Sequence, residues 1–117
     1  MSLYAVVRND IGMPPGKCAS QAGHAYLGTF LNAQQLSPTT AELYAADPPG
    51  TKVCLQAGLH HLLRAKEEAE RAGLPVYLVV DSGCANFFGG RPTITALGFG
   101  PVAKSQVPKF IKRLPLL

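Results

Sequence analysis

Charged side chains make up only 15% of this chain against 47% hydrophobic residues, a balance that excludes an intrinsically disordered polymer. Cysteine is also scarce. Cys18, Cys54 and Cys84 stand too far apart for a C-x-x-C pair or for zinc-finger spacing, and an odd, scattered set fits a reducing compartment. Long apolar runs are missing as well, since no stretch approaches the ~18 uninterrupted apolar residues of a spanning helix. The opening MSLYAVVRND has neither the basic n-region nor the apolar run of a signal peptide. The expectation is a soluble, cytoplasmic protein with no membrane partner. Phosphate-binding fingerprints are lacking too: there is no G-x-x-x-x-G-K-[ST], and no G-x-G-x-x-G following a strand, so nucleotide hydrolysis is not the expected chemistry. Nothing repeats internally, and no low-complexity tract occurs.

What is present fits one domain over residues 1–117. Area scaling gives roughly 6,100 Å² exposed when folded against about 18,000 Å² unfolded, enough burial for one real core. The net charge is +4, and it is unevenly placed. All seven acids lie at or before Asp81, while Arg91, Lys104, Lys109, Lys112 and Arg113 follow with no acid among them. Such asymmetry points to nucleic acid or another acidic surface. A solubilising face around a helix explains it equally simply.

Hydrophobic periodicity and breakers predict the elements. LYAVVR at 3–8 reads as an interior strand, followed by the breaker-rich loop NDIGMPPG. An alanine-rich helix is expected from Lys17 to about Gln34, and Ser37-Pro38 marks the start of a second, to about Ala46. TKVCLQA at 51–57 reads as a strand. A helix over 59–72 places Leu59, Leu62, Leu63 and Ala69 inward, with Arg64/Glu68 and Lys66/Glu70 as outward pairs and Gly73 as its stop. A buried strand follows Pro75 and ends at Asp81, then an irregular loop over 82–92, a strand TITALGF over 93–99, and a short basic helix from Lys104 to Arg113 interrupted by Pro108. The order β-α-α-β-α-β-β-α predicts the α/β class, a single three-layer α/β/α domain with a mixed sheet of about four strands. Sites in such sheets gather at the carboxyl ends of parallel strands, here after residue 8 and after residue 80.

Helical spacing puts Lys17, Gln21, His24 and Gly28 along one stripe, flanked by Ser20. An ammonium, an amide and an imidazole on one face make a usable polar site; a solvated lysine and a packing histidine are the plain alternative. Asp81 closes an apolar strand, where a functional carboxylate is expected or where a turn cap would serve. Thr93 could return a hydroxyl to its neighbourhood. Phe87 and Phe88 beside Arg91 either stack on a base or tuck under the loop. Adjacent His60 and His61 point to different helix faces, and no metal site is expected. Cys18 and Cys84 flank the same region as conceivable nucleophiles.

The segments AVVRNDIGMPPGKCASQAGHAYLG, TKVCLQA, AKEEAERAGLPVYLVVDSG and TITALGFGP resemble the type 2 peptidyl-tRNA hydrolases over nearly the whole chain. The most specific matches are G-K-x-x-x-Q-x-x-H-A, from Gly16 to Ala25, and G-L-P-x-x-L-V-x-D-x-G, from Gly73 to Gly83. The resemblance implies hydrolysis of the ester joining a peptide to the 3′ ribose of tRNA, without metal or organic cofactor, and with a tendency toward homodimers. It implies catalytic roles for Lys17 and Asp81, which fall on the family's lysine and aspartate, and for Thr93 on its second threonine, while His24 is a further catalytic candidate through which Asp81 could act on water. Gln21, Ser20, Asn86, Arg91, Lys104 and Lys109 are the expected contacts to substrate, with the acceptor end of tRNA as partner. After the aspartate this chain reads Ser82-Gly83-Cys84-Ala85-Asn86, where the family pattern has a threonine at position 85 and a glutamine at 86. That departure motivates the alternative of a weakened or inactive relative that binds RNA or protein.

Overall fold

A computed structural model describes residues 1–83 and 88–117. The elements follow as β1 (Ser2–Arg8), α1 (Pro15–Leu36), α2 (Pro38–Ala45), β2 (Lys52–Ala57), α3 (Leu59–Arg71), β3 (Val76–Asp81), β4 (Thr93–Val102), a 3₁₀ turn (Lys104–Gln106) and α4 (Lys109–Lys112). The four strands form one sheet in the order β2-β1-β4-β3. β1 and β2 are parallel, and β4 runs antiparallel to both β1 and β3. β1, β2 and β3 therefore point the same way, and the sheet is mixed and four-stranded, as expected.

Side-chain alternation sorts the core into two layers. Tyr4, Val6, Leu97 and Phe99 face α3 and α4, where they meet Leu62, Ala65, Ala69 and Ile111. Tyr4 and Phe99 stack with ring centroids 4.9 Å apart. On the opposite face Ala5, Val7, Val79 and Ala96 meet Ala22 and Ala25 of α1. The small residues there let α1 come close to the sheet. Gly98 is the limiting case, because a methyl group at its Cα would overlap the backbone carbonyl of Ala25. β1, flanked by two strands and covered on both faces, buries its five central residues.

Local signals settle most boundaries. Pro38 opens α2 at its first helical position, although the Ser37 hydroxyl makes no capping bond. α3 buries Leu62, Ala65 and Ala69, and Gly73, at φ +76°, ends it with bonds from Gly73 N–H to Glu70 and from Leu74 N–H to Ala69. Of the two expected surface pairs, Lys66–Glu70 forms at 3.0 Å. Arg64 instead lies 4.0 Å above the Phe110 ring, and Glu68 pairs with Arg71. The reason is tertiary: α4 brings an aromatic face to Arg64, and a guanidinium over a ring gains more than an exposed i,i+4 ion pair.

The last helix expected over 104–113 is in fact two short pieces. Pro108 lacks an N–H and occupies the position just before α4, so the turn at Lys104–Gln106 cannot run on into it. After α4 the chain lies along β2, with Gln56 N–H bonded to Pro115 O and Leu117 N–H to Cys54 O. The C-terminal residues thus cover the outer edge of β2.

Replacing Gly98 by alanine is expected to lift α1 from the sheet and cost roughly 1–3 kcal/mol. Urea unfolding checks this, and an unchanged midpoint would contradict the close packing of α1 on β4.

Candidate active site at the carboxyl end of β3

α1 runs back along β3, so that its first turns lie beside Asp81 and its later turns beside Val76: Gly28 meets the Tyr77 ring, and Asn32 Nδ2 donates to the Val76 carbonyl at 2.7 Å. This alignment carries the polar stripe of α1 to the end of the strand. Lys17 Nζ donates to Asp81 Oδ2 at 2.8 Å, with side chains 22% and 13% exposed, so the ion pair is half-buried and still reachable by solvent. Gln21 Nε2 donates to the same oxygen at 3.3 Å. The other carboxylate oxygen, Oδ1, accepts the Gly83 N–H at 2.9 Å, which closes the turn after the strand. Asp81 thus serves as the turn cap through one oxygen while the other meets an ammonium and an amide.

Behind Gln21 stands Thr95, whose hydroxyl donates to Gln21 Oε1 at 2.5 Å. Both side chains are buried. The bond fixes the amide: a carboxylate can only accept, so Nε2 must face Asp81, and Oε1 must then take its proton from Thr95. Thr95 reaches α1 through an irregularity in the sheet. Val79 pairs with Ala96 but Val80 pairs with Ile94, leaving Thr95 as the extra residue of a β-bulge. Ile94 packs toward α3 while Ala96 packs toward α1, and the bulge turns Thr95 toward α1 as well. Strict alternation along TITALGF would have put Thr93 and Thr95 on the face of Leu97 and Phe99.

The remaining expected residues are placed as follows. Thr93 pairs with Asp81 across the strands, but its hydroxyl donates to Arg91 O at 2.9 Å. His24 is exposed and lines a groove with Val79 and Val80. Ser20 is exposed on the flank of α1, and Arg91 is exposed just before β4. Gln21, expected to hold substrate, is 1% exposed and holds Asp81 instead. Asn86 and Phe87 lie outside the described residues. The basic tail is divided: Arg91 stands at the Asp81 end of β4, whereas Lys104 follows the far end of that ten-residue strand, about 30 Å away. Lys109 lies with Phe110 and Arg113 beside α3, across the sheet from Lys17.

Two further contacts are not foreseen from the sequence. Lys17 Nζ lies 5.3 Å from the centroid of the Phe88 ring, which turns an aromatic face toward the ammonium. Arg8, at the end of β1, donates to the Ile94 carbonyl at 3.1 Å and pairs with Asp10 at 2.9 Å. Asp10, its carboxyl held below the usual range first by the hydrogen bond from Arg8, also accepts the N–H of Leu59 at the start of α3. Of the cysteines, Cys18 turns its thiol to the Met13 carbonyl and packs against the core, and burial pushes the Cys54 thiol up. Cys84 lies outside the described residues. His61 packs edge-on against Phe110.

The arrangement is a carboxylate and an ammonium in contact, fixed from behind by an amide and a hydroxyl, at the carboxyl end of a sheet strand. That is a constellation for polarising water and stabilising developing negative charge. The family model described as "Peptidyl-tRNA hydrolase PTH2" matches residues 1–117. A peptidyl-tRNA hydrolase of Methanopyrus kandleri is 37% identical over 112 residues, covering 96% of this chain and 94% of its own length. That of Methanococcus vannielii is 36% identical over 113 residues, with 96% and 95% covered. That of Methanocaldococcus jannaschii is 30% identical over 117 residues, covering both chains in full. With a match over its whole length and these relatives beside it, this chain belongs to the PTH2 family of peptidyl-tRNA hydrolases.

Proposed function

We propose that this protein hydrolyses the ester between a peptide and the 3′ ribose of tRNA, releasing peptide and free tRNA. The observation that carries the reading is the contact of Lys17 with Asp81 at the carboxyl end of β3, in a chain of this family. In the reaction a water oxygen bonds to the acyl carbon, the bond from that carbon to the ribose oxygen breaks, and the proton lost by the water ends on the ribose hydroxyl. Asp81 orients the water and draws on its proton. Lys17 spends one N–H on Asp81 and keeps two donors for the oxyanion that develops on the acyl carbonyl. Thr95 and Gln21 do not touch substrate; they hold Asp81 in place. His24, at the mouth of the groove, and Thr93, across from Asp81, border the space left for the acyl-ribose end.

The partner is the acceptor end of tRNA, in the cytoplasm where translation supplies it. The net charge of +4 supports attraction to a polyanion, and Arg91, at the site end of β4, is the nearest member of the basic tail. Lys104 and Lys109 would meet only parts of a tRNA remote from its acylated end. A homodimer, which the family resemblance also suggests, would have to leave the Lys17 side open. The second reading, binding without turnover, rests on Ala85, which carries no hydroxyl where the family pattern has a threonine.

Peptide release from peptidyl-tRNA is the decisive assay. Asp81→Asn and Lys17→Met are each expected to lower kcat by about 10²–10³, the range for lost acid–base or oxyanion groups. Rates equal to the parent protein would contradict these roles, and tRNA binding with no release by the parent would favour the second reading. Thr95→Val is expected to lower kcat roughly tenfold, with KM little changed, and Thr95→Ser to restore it. A serine variant as slow as the valine variant would rule out a role for the hydroxyl. kcat/KM is also expected to fall as salt rises, and a flat salt profile would exclude phosphate contacts.

A further inference from the structure

The two edges of the sheet are finished differently. Residues Pro115 to Leu117 cover the outer side of β2, while no described strand lies beside the outer side of β3. On β3, Gly100 N–H bonds to Pro75 O, so in an antiparallel ladder Pro75, Tyr77 and Val79 turn their backbone groups toward β4, and Val76 and Leu78 turn theirs outward. Asn32 takes the Val76 carbonyl, and the N–H and C=O of Leu78 come next along the open edge. Above this edge α1 presents Leu27 and Leu31, 60% and 50% exposed, on the same face as Tyr77, 41% exposed. Between them lies a groove of about 360 Å³. His24 and Val79 line it, and Asp81 lies two residues beyond Val79 on the same face of β3.

We propose that this groove receives the peptide part of the substrate as an added strand, running parallel to β3 with its C-terminal residue at Asp81. The inference rests on the reading of the Lys17–Asp81 site as a hydrolase. A peptide esterified to tRNA must leave the site on a different side from the RNA, and among the described residues the groove lining carries no lysine or arginine and no acid, which suits a peptide and offers nothing to phosphate. Its backbone edge also suits the chemistry of the substrate. Main-chain bonds to an open strand do not depend on side-chain identity, so an enzyme that meets many different peptides gains affinity from the one feature they share. The helix length from His24 to Asn32 is about 12 Å, room for three to four extended residues.

The test uses amide-linked, non-hydrolysable analogues on one tRNA, one bearing a single N-acetylated residue and the other a pentapeptide with the same C-terminal residue. Affinity is read by fluorescence anisotropy. The parent protein is expected to bind the longer analogue about tenfold more tightly, for pentapeptides of serine as well as of alanine. Leu31→Asp and Leu27→Asp, both at exposed positions, are expected to bring that ratio to about one without weakening the short analogue. N-methylation of the second peptide nitrogen from the ester end is expected to do the same.

A parent ratio of one, or a ratio that the substitutions leave intact, would overturn the proposal. So would equal weakening of both analogues together with a change in sedimentation, which would make the groove a contact between two copies of this chain. Because binding is read without turnover, the peptide path can fail while release from the ester substrate stands, and the converse.

Discussion

The contact between Lys17 and Asp81 ties the first turn of α1 to the last residue of β3, and much of the molecule is arranged to make it possible. An ammonium and a carboxylate meeting at 2.8 Å, mostly out of water, lose solvation that only good geometry returns. That geometry requires α1 to lie close to the sheet. Close approach in turn requires the small residues Ala22 and Ala25 on the helix and Ala96 and Gly98 on β4. The apolar layer and the polar site are therefore one construction, in which a methyl group added under the middle of α1 is felt at its first turn.

The carboxylate is held by a chain of fixed donors rather than by one partner. Gln21 reaches it from the helix, Gly83 from the turn, and Thr95 sets the orientation of Gln21 from within the sheet. The β-bulge is what allows a strand otherwise committed to the core to lend a hydroxyl to the opposite face. Phe88 completes the surroundings of Lys17, placing a ring near the ammonium on the side of the loop. Such preorganisation leaves little to rearrange when charge develops on a substrate.

Much of this was legible in the sequence, for identifiable reasons. The stripe of Lys17, Gln21 and His24 follows from 3.6-residue periodicity, and the place of Asp81 follows from an apolar run that ends in an acid, so the helix and the strand that carry the site were both visible. Gly73 and Pro38 marked helix ends because each has a backbone preference that few other residues share. The misplaced features all depend on contacts between distant segments. Thr95 carried no signal because the β-bulge that turns it depends on the pairing of β4 with β3, and Arg64 was assigned to Glu68 because Phe110 is remote in sequence. The basic tail looked like one patch, although β4 carries its members to opposite ends and faces of the sheet.

If Lys17, Gln21, Thr95 and Asp81 act as one unit, losses within it should not add. A double-mutant cycle on peptidyl-tRNA hydrolysis, with Lys17→Met, Asp81→Asn and the pair together, measures this most directly. A coupled site gives a double variant hardly slower than the slower single variant. A double variant whose loss is the product of the two single losses would show the residues acting independently, and would contradict the claim that their contact is the centre of the site.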